Sequence, residues 1–272
     1  MRVTIIQVAY GDSEPVAERI ERVSALVSEQ RNTDLVVLPE LWAHGGFAFS
    51  SWADRAETMD GLMVSSLRTV AKEIGVTVHA GSLIERADPG SVGSALGPQG
   101  RGLWNTSVLI GPNGDINAVY RKIHRFGFGA GETLLIEAGD TLVTAPLLGR
   151  DGRHLTTLGL ATCYDLRFPE MFRRLSNADV VVVPAAWPAP RLEHWRVLGR
   201  ARAIENQCVI IQCNTAGSHA GQVMGGHSQA ISPEGVVLAE AGDSEEVLTV
   251  DVDLEQVSGY RTSFPVLQDR RF

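Results

Sequence analysis

A chain of 272 residues is long enough for one large α/β domain or two modest ones. Its composition, 44% hydrophobic and 21% charged, is that of an ordinary globular protein. The net charge of −8 argues against a nucleic-acid partner, because phosphate binding wants a concentrated basic surface, and the basic run "RKIHR" at 121–125 is too short to supply one.

Strand-like and helix-like segments alternate from the start. The β-rich "VTIIQVAY" (3–10) is followed by "SEPVAERIERVSALVSEQ" (13–30). There Val16, Ile20, Val23 and Val27 fall at spacings of 4, 3 and 4 and make one apolar helical face. Ser13 stands where it can cap that helix, with Glu14 in the first turn. The apolar run "TDLVVLPE" (33–40) then stops abruptly at Pro39, as a buried strand would. Met63, Leu67, Val70 and Ile74 predict a second helix closed by Gly75, and "VTVHAGSLIE" (76–85) the next strand. Residues 86–101, "RADPGSVGSALGPQGR", are rich in Gly, Pro and Ser and predict a loop. "WNTSVLIGPNGDINAVYRK" predicts two strands about the turn "GPNGD".

In the second half, "TLGLATC" and "DVVVVPAAW" (179–187) predict strands, and "RLEHWRVLGRARAIENQ" (191–207) a helix. "CVIIQCNTAG", "SQAISPEGVVLAEAG" and "EVLTVDVDL" predict further strands, with "SPEG" as a turn. No long linker and no solenoid-scale repeat interrupts the pattern. The expected architecture is a mixed sheet system flanked by helices, in a single domain over 1–272. No apolar segment has the length of a membrane span, and "MRVTIIQVAYGDSEP" lacks the core and cleavage site of a signal peptide. The three cysteines, Cys163, Cys208 and Cys213, include no close C-x-x-C pair. They predict a reducing compartment, the cytoplasm, and no disulfide framework.

Three polar residues sit where buried strands are expected to stop, the place where α/β folds tend to put active sites. Glu40 ends "LVVLPE", Lys122 ends "INAVYRK" and Cys163 ends "TLGLATC". Each alone has a plain explanation: a loop carboxylate, half of an exposed "RK" pair, a cysteine packing as a small hydrophobe. Together they are the parts of a thiol-dependent hydrolase. A thiol needs a base, and a carboxylate in an apolar cleft serves if burial raises its pKa. A tetrahedral intermediate needs positive charge or N–H donors at its oxyanion, which Lys122 and the backbone N–H of Tyr164 can supply. No histidine stands in a spacing such as H-E-x-x-H, and neither a metal nor an organic cofactor is expected. His124, beside Lys122, reads as a hydrogen-bonding neighbour, and Cys208 and Cys213 read as core.

The chain resembles the nitrilase superfamily, the carbon–nitrogen hydrolases, in "LVVLPELW" around Glu40, "YRKIHRF" around Lys122 and "GLATCYDLRFPEMFR" around Cys163, with matching order and spacing. The resemblance extends to "VVVVPAAWPAPRLEHWRVLGRARAIENQCVIIQCNTAG" and "GGHSQAISPEGVVLAEAG", so it covers essentially the whole chain. It implies a four-layer α-β-β-α sandwich, two sheets face to face beneath outer helices. It also implies that the catalytic Glu, Lys and Cys are Glu40, Lys122 and Cys163. The family's second glutamate, eight residues before the acid of a "G-D" pair, falls on Glu132 ahead of Asp140, with Glu137 as the local competitor.

"CYDLRFPE", "AAWPAPRLEHW" and "RARAIENQ" are most similar to the omega-amidase branch, which hydrolyses the terminal amide of short dicarboxylic monoamides such as 2-oxoglutaramate. Deaminated-glutathione amidases are close competitors, and N-carbamoyl amino acid hydrolases and nitrilases are other branches. A catalytically silent binding protein would lack a catalytic residue, and none is missing. A distal substrate carboxylate asks for an arginine or several donors, and Arg167, Arg173, Arg174 and Arg191 are available. The sequence does not choose among them; Arg167 is carried as a candidate, with a structural ion pair as its alternative, and Trp187 is the expected aromatic wall. "HRFGFGAGE" is rich in glycine where relatives often carry a longer acidic or aromatic loop, so a different pocket rim is expected. The C-terminal "GYRTSFPVLQDRRF" is similar to tails that pack against a partner subunit, which implies a homodimer.

Overall fold

The computed structural model describes residues 1–88 and 96–271; of the segment expected as a loop, residues 89–95 lie outside the described residues. Among the described residues the strands form two six-stranded sheets and a small three-stranded one. The first sheet runs Glu246–Asp251, Arg2–Gln7, Leu35–Val37, Thr77–Arg86, Leu103–Ile110 and Ile116–Arg121, in that order. The second runs Val237–Glu240, Gln229–Ile231, Val209–Asn214, Val180–Ala185, His154–Leu160 and Val143–Leu148. In each, the central strands are parallel and the flanking ones antiparallel.

Parallel central strands are covered on both faces, which is why their sequences are continuous apolar runs. Successive side chains go to opposite faces. Leu35 and Val37 join the cluster that holds Ile211 and Cys213 of the second sheet. Val36 and Leu38 join the cluster of Ile20, Val23, Met63 and Leu67, from helices Val16–Ser28 and Leu62–Ile74. On the far side, helix Leu192–Asn206 lies so close to the second sheet that a Cβ on Gly199 would meet the Gln212 side chain. Helix, sheet, sheet and helix make the four layers of the expected sandwich. Cys208 and Cys213 are both buried; the Cys213 thiol donates to the carbonyls of Ile6 and Val37 across the two sheets, at 3.4 Å each.

Several local expectations change. Pro15, not Ser13, stands at the N-cap of Val16–Ser28, and no side chain caps the helix. Pro15 holds an extended backbone there, which leaves Ser13 two residues outside the cap, and Glu14 instead pairs with Arg19 at 3.0 Å and Arg22 at 2.8 Å. The runs "VTIIQVAY" and "CVIIQCNTAG" each split, and their distal parts Ala9–Tyr10 and Ala216–His219 leave the large sheets to pair with each other. The strand Val143–Leu148 and the helix Leu254–Ser263 lie outside the expected elements. The first is an edge strand whose residues are only intermittently buried, and the second buries only Val257.

One close approach shapes the site. Strand Thr77–Arg86 is irregular between His79 and Ser82, and Gly81 takes a φ of +70°. A Cβ on Gly81 would lie 1.9 Å from the Pro39 carbonyl oxygen, so only glycine lets this strand press on the turn that carries Glu40. Leu41, at φ 47°, is held there by its N–H donating to the Ser82 carbonyl at 3.1 Å and hydroxyl at 3.2 Å.

His79, buried in the same strand, is pushed down to about 4 by its desolvation. An unfolded histidine titrates near ~6.5, so between those values the unfolded chain takes up a proton that the folded chain refuses. Stability is therefore full above the unfolded value and falls as pH drops towards 4, by up to about 3 kcal/mol from this residue. His79→Asn should flatten the fall of Tm between pH 6.5 and 4.5, measured by thermal melts in matched buffers.

Candidate active site

Glu40, Lys122 and Cys163 each lie one to three residues past a strand, those ending at Val37, Arg121 and Leu160. The fold brings them together. Lys122 Nζ donates to Glu40 Oε1 at 2.7 Å and to the Glu132 carboxylate at 3.0 Å. Glu40 Oε1 also accepts from Asn105 Nδ2 at 2.8 Å, and Glu40 Oε2 from the Ala186 N–H at 2.9 Å. Asn105 Nδ2 reaches Glu132 as well, at 2.7 Å, and the Phe126 N–H donates to the same carboxylate. Glu40, Lys122 and Glu132 are each 2–3% exposed and Cys163 8%. The Cys163 thiol lines the same cleft as Glu40, close enough that each shifts the proton affinity of the other. Glu137, the competitor of Glu132, is elsewhere: its carboxylate accepts the N–H groups of Gln99 and Arg101.

Cys163 sits in the left-handed region, at φ 46°, where a side chain costs strain that the surroundings must hold. Asp165 holds it. This fully buried carboxylate accepts from the Thr162 N–H at 2.8 Å, the Tyr120 hydroxyl at 2.7 Å, the His124 N–H at 3.0 Å and His124 Nδ1 at 2.8 Å. The His124 ring stacks on Phe168 at 3.7 Å. Thr162 and Asp165 cap each other reciprocally, so a short turn, Cys163–Arg167, starts with the thiol. The N–H of Tyr164 lies in that first turn, ahead of any helical acceptor.

The charges are unequal in character. Burial pushes the Glu40 carboxyl up, but the charge and hydrogen bonds of Lys122, with those of Cys163 and Ala186, outweigh it and hold it below the usual range. Burial and the Glu40 charge, opposed by Lys122, put the Cys163 thiol well above an ordinary cysteine. Lys122 is raised despite its burial, because Glu132 and Glu40 face it. Glu132 is raised by burial and by the charge of Glu40, against the pull of Lys122. The site at rest thus favours an ionised Glu40 carboxylate beside a protonated thiol and an ammonium.

These groups lie in a cleft of about 410 Å³ whose wall includes Phe47, Phe49, Phe126, Tyr164 and Trp187. Gly127, Gly129 and Gly131 all have positive φ, and the loop they shape carries Phe126 into the cleft and leaves Phe128 82% exposed beyond it. Tyr10 and His219 pin the wall opposite, accepting the N–H groups of Gly46 at 3.1 Å and Phe47 at 3.3 Å. Arg167 and Arg191 both line the cleft, and among the described residues neither is paired with a carboxylate. The Arg167 guanidinium lies 4.7 Å from the Trp187 ring centroid, Arg191 lies 5.7 Å from that of Phe126, and Trp187 Nε1 donates to the Arg191 carbonyl at 2.8 Å. Burial and the charge of Arg191 lower the pKa of Arg167. Of the other arginines weighed, Arg173 lies outside the cleft, donating to the Glu205 carbonyl.

Asn105 and the Ala186 N–H are not singled out by the sequence, whereas "DLRFPE", which begins with Asp165, is expected to hold the turn that exposes the thiol. Asn105 has a signal, an amide in the otherwise apolar strand "LWNTSVLI", all but its first residue buried. The Ala186 N–H depends on a contact that no local pattern encodes.

A model of the carbon-nitrogen hydrolase family matches residues 2–262. The chain is 43% identical over 271 residues to a 2-oxoglutaramate amidase of Paenarthrobacter nicotinovorans, covering 99% of this chain and 89% of that one. It is 34% identical to a 2-oxoglutaramate amidase of Bacillus subtilis, covering 97% and 94%. Among solved structures, a CN-hydrolase superfamily protein from Xanthomonas campestris is similar with a TM-score of 0.86 at 28% identity, over 100% of this chain and 97% of that one.

Proposed function

The chain belongs to the carbon–nitrogen hydrolase family, and on that premise we propose that it is a cysteine-dependent amidase cleaving the terminal amide of a short dicarboxylic monoamide of the 2-oxoglutaramate kind. The observation that carries this is one cleft holding both a thiol with its base and ammonium and two guanidinium groups without carboxylate partners.

Glu40 takes the thiol proton as Cys163 Sγ attacks the amide carbon, so no thiolate need exist beforehand. Lys122 and the Tyr164 N–H hold the oxyanion. The protonated Glu40 gives its proton to the departing nitrogen, the C–N bond breaks, and ammonia leaves a thioester. Glu40 then takes a proton from water, whose oxygen attacks the thioester; the C–S bond breaks, Glu40 returns the proton to Cys163 Sγ, and the acid departs from a regenerated thiol and carboxylate. Glu132 orients Lys122. Arg167 and Arg191 hold the distal carboxylate, with Trp187 as the wall that fixes both. Unpaired guanidinium groups suit a carboxylate because they offer two parallel donors each.

The same reading treats 1–272 as one domain. It also takes a cytoplasmic homodimer, supported by the three free cysteines and by Ile204 and Phe264, exposed beside the C-terminal segment.

The test is ammonia release from 2-oxoglutaramate, succinamate, deaminated glutathione, an N-carbamoyl amino acid and a simple nitrile. Release should be greatest from the first two. Arg167→Ala and Arg191→Ala should each raise KM for 2-oxoglutaramate about 10- to 100-fold, the worth of a charged hydrogen bond, and leave a neutral amide such as butyramide nearly unaffected. Release from no substrate, with Cys163 unreactive towards an alkylating amide, would favour a binding protein.

A further inference from the structure

Glu40 and Glu132 both lie within 3.0 Å of a single ammonium, Lys122 Nζ. Two carboxylates about one cation leave a negative charge unbalanced where water is excluded, which favours a proton on one of them. The structure offers a second donor group to the pair. Asn105 Nδ2 reaches Glu40 Oε1 at 2.8 Å and Glu132 Oε1 at 2.7 Å, so its two N–H bonds are divided between them. The opposite amide orientation would aim an oxygen at both carboxylates, so they fix which way the side chain points. Asn105 Oδ1 is buried without a partner among the described residues, a cost incurred by facing the nitrogen to the site. The backbone brings amide and ammonium together, because the Lys122 N–H donates to the Asn105 carbonyl at 2.8 Å across the hairpin.

We propose that Asn105 is a positioning residue for the chemistry of Cys163: its carboxamide binds Glu40 and Glu132 into one unit about Lys122 and, with Lys122, fills Glu40 Oε1, directing the thiol proton to Oε2. Oε2 keeps room for it, since its other contact is the single N–H of Ala186. This rests on the reading of Cys163 as nucleophile and Glu40 as base, and adds a residue that acts only through the carboxylates.

The pH profile distinguishes this role from simple packing. Removing a donor from an ionised carboxylate makes it easier to protonate, so the acid limb of thiol reactivity moves to higher pH. The other titratable groups facing the pair are Lys122, Cys163, Tyr10 and Tyr120. Both tyrosines are pushed up by burial and stay neutral through that range.

The experiment measures alkylation of Cys163 by iodoacetamide against pH in the full-length protein, wild type, Asn105→Leu and Asn105→Ala, with Tm recorded for each. Asn105→Leu keeps the volume without a donor; Asn105→Ala leaves space for a donating water. The expected result is an acid limb moved up by about one pH unit or more in Asn105→Leu, which lowers the rate about tenfold or more at pH values on that limb, with a smaller change in Asn105→Ala. A limb unmoved in either folded variant overturns the proposal, as does failure of both variants to fold, which would assign Asn105 to the fold instead. A wild-type thiol that is not alkylated, or whose rate does not depend on Glu40, overturns the underlying reading and not this step alone.

Discussion

Cys163→Ala is expected to reduce ammonia release from the best amide substrate to background, a loss of at least about 10⁴-fold in kcat. No other group can take its place. Cys208 and Cys213 are buried in the packing of the second sheet, and Cys213 spends its thiol on backbone carbonyls of the first. The acyl-enzyme therefore has no alternative attachment. The fold should be little affected, because alanine replaces one non-glycine residue by another in the same left-handed position, and the Asp165 network that holds the turn is untouched. A steady-state ammonia assay beside circular dichroism and Tm checks both halves. Near-wild-type turnover in Cys163→Ala would remove the nucleophile assignment and with it the proposed mechanism.

Glu40→Gln carries the second largest expected effect, a fall of about 10²- to 10⁴-fold in kcat/KM from loss of the general base and acid. Glutamine keeps the volume and an acceptor for Lys122, but its amide nitrogen meets either the Ala186 N–H or the Asn105 amide, donor against donor. A stability cost of about 1–3 kcal/mol follows from the unmet donors. The sign of the pH effect is specific. Glu40's negative charge helps hold the thiol up, so removing it lets Cys163 ionise at lower pH than in the wild type. Alkylation of Glu40→Gln should thus be slow near neutrality and recover towards alkaline pH as free thiolate accumulates. The ratio to wild type should narrow steadily as pH rises, and a constant ratio from pH 6 to 10 would contradict a base role for Glu40.

The parts of the molecule legible in sequence are those written in local periodicity. The helices Val16–Ser28 and Leu62–Ile74 followed from apolar residues at helical spacing, and the buried strands from apolar runs stopped by Pro39 or by polar residues. Polar side chains beyond such runs pointed to Glu40, Lys122 and Cys163, while Glu132 came only from the register of a family motif. What escaped was set by tertiary contact. Glu132 and Glu137 are five residues apart in similar surroundings, and only the fold shows one turned to Lys122 and the other to a loop backbone. Arg167 and Arg191 were two among several arginines until the Trp187 ring and the cleft distinguished them. Ser13 looked like a cap because sequence shows spacing and not the extended backbone that Pro15 imposes.

The bond from the Ala186 N–H to Glu40 joins the two sheets, since residue 40 follows a strand of the first and residue 186 a strand of the second. Asn105 and Lys122 come with the first sheet and Cys163 with the second, so neither half alone holds a complete set. The proposed hydrolytic chemistry therefore requires the two sheets docked against each other, and belongs to the assembled sandwich, not to either sheet.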